Sequence, residues 1–330
     1  MKMKAKLIIN KLLVTSLLFL LIFIPIITVG CHEEVAQPPA TSTHSELSTT
    51  LVPNMNLDMY VYAKQDNPTI VPKEFIGATS DVVAESLSLW GIPTEDTIIL
   101  GGGLTFTSGT DATKTHSQIP SQTEFWTKLS DRTIYFVQGS GVIAENLKAA
   151  ISKNDFKYYD DQEALPEIAL LPNSEATTLA VVGIVKPSEV LMKMIADNIS
   201  PEYSDMINTL LTWARLQVIA VGLYAPQQID VAEIAQKVER GSIWESDLGI
   251  LALIKTGLPG FVTGPIVKNI LKSSGYVETT INELTLYKGS LDAGSGNTVP
   301  ILIRIEGNRI YATVSGQESY AWALITNGGG

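Results

Sequence analysis

The sequence predicts an α+β fold, with mixed or antiparallel sheets, helices packed on one face, and two related halves. Three observations lead there. Strand-like and helix-like stretches alternate from residue 51 to about residue 274, and consecutive strands follow; this order favours segregated helices over a doubly wound parallel sheet. Apolar runs such as LQVIAVGLY (216–224) and LGILALIK (248–255) have the length and composition of buried strands. Short segments also recur: LVPN (51–54) with LLPN (170–173), and DRTIYFVQGSG (131–141) with NRIYATVSGQE (308–318). The halves then run 51–160 and 161–330.

Within the first half, LDMYVYA (57–63) reads as a strand and SDVVAESLSLW (80–90) as a helix stopped by Gly91 and Pro93. TIILGGGLTFT (97–107) reads as a strand interrupted by glycine. Ser121 and Glu124 form a capping box for a short helix ending near Leu129. TIYFVQ (133–138) is a strand, and VIAENLKAAIS (142–152) has the spacing of an amphipathic helix.

In the second half, TTLAVVGIV (177–185) is a strand, and Pro187 suits the first turn of the helix after it. Ser200-Pro201 opens a longer helix, and Asp230 with Glu233 caps another that Gly241 ends. A helix from about Pro265 to Ser274 is closed by Gly275. The strands TLYKG, VPILIRIEG and NRIYATVSG follow, with a hairpin turn at Glu306–Arg309, and ESYAWALI forms the last helix.

Before this body stands a different kind of sequence. Residues 1–11 carry four lysines and no acid, and an apolar or small-residue run extends from Leu12 to Gly30. A basic segment, an apolar run and a small residue form the layout of an export signal, which assigns residues 1–30 to a signal peptide. The lysines hold that end in the cytoplasm and send the rest outward. The sole cysteine, Cys31, stands at the end of the run in ITVGC. This setting resembles the lipobox of bacterial lipoproteins, with Gly30 as the small residue before the cysteine. The resemblance implies that the Cys31 thiol is the lipid attachment site, carrying diacylglycerol, and that cleavage makes it the new N-terminus. An uncleaved helix with the cysteine at its outer end would leave the body on the same side. Residues 31–50 then form the lipidated cysteine and a flexible Pro-, Thr-, Ser- and Glu-containing tether, whose extended reach is roughly 60 Å.

Charge narrows the partners. Losing the signal removes four of the 23 basic residues and none of the 34 acidic ones, so 19 against 34 leaves a formal charge of −15. With no cluster of Lys and Arg after residue 31, nucleic acid is excluded as a partner. A lipidated Cys31 also excludes any disulfide within the chain, so the body must rely on its own core.

Motifs for chemistry are sparse. Gly139-x-Gly141-x-x-Ala144 lies between a strand and a helix, with Asp160 further on, and resembles a dinucleotide fingerprint. A similar corner at Ser315-Gly316 favours a repeated structural turn instead, so no cofactor is expected. The polar, glycine-rich residues 101–120 read as a bulged strand and a surface loop containing His116. His32 and His44 lie in the tether, which leaves no histidine-rich metal site in the body. Asp160, Asp161, Glu163 and Glu167 read as a solvated acidic connection, and Trp244 as an anchor at a helix-to-strand corner. Together these features predict a lipid-anchored protein facing the extracytoplasmic side, with a noncatalytic binding or scaffolding role at the cell envelope. Its partners are then the membrane and an envelope protein or small solute. A solute-binding lipoprotein of a transporter, with two lobes and a cleft, is the first alternative. A hydrolase using paired carboxylates is the second.

Overall fold

The computed structural model describes residues 50–71, 82–95, 97–119, 125–160, 164–172, 178–198, 215–225, 248–273, 275–281, 283–292 and 298–327. The first half comprises β1 (Leu51–Pro53), β2 (Met59–Val71), β3 (Val82–Pro93), β4 (Ile98–Thr105), α1 (Gly109–Gln118), β5 (Phe125–Ser130), β6 (Thr133–Gln138), α2 (Val142–Ser152) and β7 (Phe156–Tyr158). A five-residue helix, α3 (Leu165–Ala169), leads into β8 (Thr178–Val185), α4 (Glu189–Asn198), β9 (Leu216–Ala225) and β10 (Gly249–Thr256). The chain then forms α5 (Gly260–Ser273), β11 (Val277–Ile281), β12 (Leu284–Asp292), β13 (Thr298–Glu306), β14 (Arg309–Ser315) and α6 (Glu318–Asn327).

Twelve strands make one antiparallel sheet in the order β11-β12-β13-β14-β10-β9-β8-β2-β3-β4-β6-β5, and β1 pairs with β7 as a small separate ribbon. The fold is therefore α+β. Its helices, however, cover both faces rather than one. Along β10, Leu251 and Leu253 enter a core with Leu147 of α2, Ile168 of α3 and Leu324 of α6. Between them Ile250 and Ala252 point the other way, into a core with Ala112 of α1 and Leu191 of α4. Val314 faces Ile250 across the strand pair and joins Leu271 of α5 on that same side. Runs such as GILALI have no polar alternate position because neither face meets water.

Three local expectations are overturned. Residues 82–93 form β3, not a helix: Leu87 and Leu89 enter one core and Trp90 the other, and pairing with β2 and β4 overrides the helix-forming Ala-Glu-Ser-Leu. Phe125–Leu129 is a strand, because the two-residue turn Asp131–Arg132 folds it against β6 with Ser130 opposite Thr133. The capping-box residues Ser121 and Glu124 lie outside the described residues. Residues 101–119 hold no long loop. β4 runs into α1, whose first turn is closed by the Ser108 hydroxyl accepting from the Asp111 amide at 3.1 Å.

Smaller adjustments concern helix starts. Pro187 lies before α4 and not in its first turn; Ser188 caps the helix, its Oγ accepting from the Leu191 amide. α5 begins at Gly260 and ends as expected, with the Tyr276 amide returning to the Leu271 carbonyl and Gly275 at positive φ. The helices expected after Ser200 and over 230–241, and the corner at Trp244, lie outside the described residues.

The sheet contains one arrangement twice. The order β2-β3-β4-β6-β5 is matched by β8-β9-β10-β14-β13, with α1 and α5 after the third strand and α2 and α6 after the last. Matching rows run across the strands: Tyr60, Trp90, Gly101, Val137 and Trp126 in one half, Val182, Gly222, Leu251, Thr313 and Leu302 in the other. Where the halves meet, Tyr60 faces Ile184 and Tyr62 faces Val182, so a local two-fold axis passes through the Val61–Gly183 pair.

Details repeat too. The Phe106 amide donates to the Arg132 carbonyl at 2.9 Å, and the Thr256 amide to the Asn308 carbonyl at 3.0 Å. Lys128 donates to the carbonyls of Ile151 and Ser152 at the end of α2; Arg304, at the matching position, donates to the Ile325 carbonyl in α6. Among the described residues the second half adds α4 between β8 and β9, and the β11–β12 hairpin, which covers the outer edge of β13.

Candidate functional site

The most concentrated charge in the described body sits where α3, between the halves, meets the second half. The matching place in the first half holds two threonines, Thr105 and Thr133, whose hydroxyls lie 3.1 Å apart. In the second half these positions are Lys255 at the end of β10 and Arg309 at the start of β14, facing each other across the pair. Both follow the alternation that sends Leu251, Leu253 and Tyr311 into the α3-side core. They therefore point under α3 and require an acid there.

Glu167 supplies it. Pro166 in the first turn starts the short helix, and Ile168 and Leu171 bury its inner side. The Glu167 carboxylate has 0 % exposure and is the one fully buried acid among the described residues. Its Oε2 accepts from Arg309 Nε at 2.7 Å, and Oε1 accepts from Arg309 Nη2 at 3.2 Å and lies 3.1 Å from Lys255 Nζ. The two-pronged geometry is the strong form of this pair. The hydrogen bond to Glu167 is the main cause that raises the Arg309 pKa above its usual value.

A second layer lies beside it. The Arg304 guanidinium stands 4.2 Å over the Tyr311 ring and donates to Glu306 at 3.1 Å. Lys255 and Arg309 thus fasten the inter-half segment onto β10 and β14 through Glu167, while the Arg304–Glu306 pair stays within β13. With its oxygens engaged by two cations, Glu167 is placed to hold structure and not to act on a substrate.

The sequence-derived candidates are scattered by the fold. Cys31, Asp161, Glu163 and Trp244 lie outside the described residues, and Asp160 is exposed beyond β7. Glu167 is not part of a solvated connection. It is buried because two inward-facing cations in the second half compensate its charge. Gly139 and Gly141 form the corner between β6 and α2, both at positive φ. β6 is antiparallel to both neighbours, and α2 leads to β7, which joins β1 and not the main sheet. The parallel strand–helix–strand unit of a dinucleotide site is therefore not what these residues build. His116 sits in α1, its Nε2 3.2 Å from the Thr127 hydroxyl. Among the described residues no cluster of three His, Cys, Asp or Glu side chains is placed to hold a metal, and no helix is long and apolar enough to cross a membrane.

No family model matches the chain, and the searches of curated proteins and of solved structures return no match either.

Proposed function

We propose that this chain is a lipid-anchored extracytoplasmic lipoprotein whose sheet body binds or scaffolds other envelope components without catalysis. The observation that carries the reading is in the sequence: a lysine-bearing start, an apolar run over residues 12–30, and the sole cysteine directly after Gly30. Two or more acyl chains on one residue give the stable anchoring that a single chain does not.

The geometry of the body fits this role better than either alternative. A carboxylate hydrolase needs two acids facing one another across a substrate, whereas the buried acid here is tied to Arg309 and Lys255. A two-lobed solute binder closes about a hinge. The halves here share five backbone pairs from Met59↔Val185 to Ala63↔Val181, which such a motion would have to break.

The test is metabolic labelling of the full chain with a palmitate analogue, together with fractionation. Wild type is expected in the membrane fraction and labelled. Cys31→Ser is expected unlabelled, with its uncleaved signal retained as extra mass. Equal labelling of the two would end the lipoprotein reading.

A further inference from the structure

The internal repeat exposes an inequality between the two ends of the half-sheets. In the second half, the outer edge of β13 is covered: Ile301 pairs with Gly289 and Ile303 with Tyr287 of β12. By the matching rows, the equivalents of Ile301, Ile303 and Ile305 are Phe125, Thr127 and Leu129 of β5. β5 is the terminal strand of the sheet, and among the described residues no strand covers it. Ser130 and Thr133 flank a two-residue turn, which makes them a hydrogen-bonded pair; Ser130, Lys128 and Trp126 therefore bond inward to β6. The amides and carbonyls of Phe125, Thr127 and Leu129 point outward, along the line where β12 lies in the other half.

Among the described residues this edge lacks the usual guards against strand addition. A lysine on an edge strand commonly discourages pairing, but the Lys128 ammonium is drawn back onto the Ile151 and Ser152 carbonyls and Asn154. At the opposite terminus, β11 keeps Glu278 paired with Lys272 on its exposed side, and Val277 and Ile281 flank it. The side chains of β5 are already set: Phe125 stacks on Phe136 at 5.8 Å, and Thr127 contacts His116.

We infer that the β5 edge is a homodimer interface, at which the same strand of a second copy adds in antiparallel register centred on Thr127. The strand FWTKLS is self-complementary in that register. Phe125 falls opposite Leu129 of the other copy on one face, and Thr127 falls opposite itself. On the other face Trp126 meets the aliphatic stem of Lys128, so no like charges are set against each other. The contact is isologous and closes as a two-fold pair, the commonest symmetry of soluble oligomers. It repeats between copies the antiparallel joining that β2 and β8 make within one chain. The inference goes beyond the proposed envelope role and does not depend on the Cys31 lipid.

Sedimentation velocity of the full chain in detergent is expected to give the mass of two copies. Cysteine cross-linking reports the register, since facing Thr127 residues would have Cα atoms about 5.5 Å apart, within disulfide reach. Thr127→Cys is expected to form covalent dimers on mild oxidation at least tenfold more than Glu283→Cys, which sits beside the β11 edge, or wild type. Thr127→Lys, which sets two ammonium groups face to face, is expected to shift the wild-type dimer to monomer while the chain keeps the far-ultraviolet circular dichroism of the folded wild type. Three results would overturn the inference: a monomeric wild type at tens of micromolar, cross-linking through Glu283→Cys instead, or cross-links of Thr127→Cys only to other polypeptides.

Discussion

Arg309→Met is expected to destabilise the protein by about 3–5 kcal/mol, the cost typical of stripping one partner from a buried ion pair. For a chain of this size that corresponds to a fall in melting temperature on the order of 10 °C. The reason lies in the unequal burial of the partners. Glu167 has no exposure, while Arg309 and Lys255 keep 34 % and 22 % of their side-chain surface in contact with water. Removing Arg309 leaves a carboxylate with one cation and no route to solvent. Removing the carboxylate instead leaves two cations that can turn outward, so Glu167→Gln is expected to cost only about 1–2 kcal/mol, near the worth of a charged hydrogen bond. The double variant Glu167→Leu/Arg309→Met is expected to recover much of the loss, because an apolar pair needs no charge compensation. Urea and thermal unfolding of the three variants check the ordering. Equal losses for Arg309→Met and Glu167→Gln would show that burial of the carboxylate does not control the cluster.

Much of this cluster was written in the sequence, though not where the acids are conspicuous. Arg309 opens RIYATVS and Lys255 closes GILALIK, each in phase with the inward-facing residues of its strand. A charged side chain at an inward position of an apolar strand calls for a buried partner. The partner's identity was not legible, since Glu167 lies 142 residues from Arg309 and stands in an acid-rich stretch of sequence. TIYFVQ, LQVIAVGLY, LGILALIK, VPILIRIEG and NRIYATVSG were readable as strands, and VIAENLKAAIS and ESYAWALI as helices, because apolar runs and turn residues agreed. β3 and β5 were not. Ala-Glu-Ser-Leu and the Ser121–Glu124 spacing carry helix signals, while what fixes both segments as strands is pairing with distant neighbours. The repeat was visible at its hairpins, where both turns place their first residue, Asp131 or Gly307, at positive φ. It was hidden at the β2–β8 junction, where symmetry resides in register and not in residue type.

The repeat also explains the second large effect, expected for Gly102→Ala. Gly102 occupies β4 at the position that Ala252 holds in β10; opposite them stand Phe136 and Ala312 respectively. Two alanines fit in the second half. In the first half the Phe136 ring takes that volume, and a Cβ built at Gly102 falls inside contact distance of both the ring and the Ser88 carbonyl oxygen. Neither neighbour yields readily. Phe136 is held by its stack on Phe125, and the Ser88 carbonyl belongs to β3, whose pairing with β4 fixes it. One added methyl is therefore expected to destabilise by about 3 kcal/mol, the upper range for overpacking. Gly103→Ala serves as the control. Its Cβ would meet the Tyr135 ring at 3.3 Å, a tight contact and not an overlap, so a loss of about 1 kcal/mol or less is expected there, as for small local strain. Adding Phe136→Leu should reduce the cost of Gly102→Ala by about 1 kcal/mol or more, the size of coupling found between residues in contact. Urea unfolding of wild type, Gly102→Ala, Gly103→Ala, Phe136→Leu and the double variant measures this. If Gly102→Ala and Gly103→Ala lost the same amount, the ring of Phe136 would not be what requires glycine at that point in the sheet.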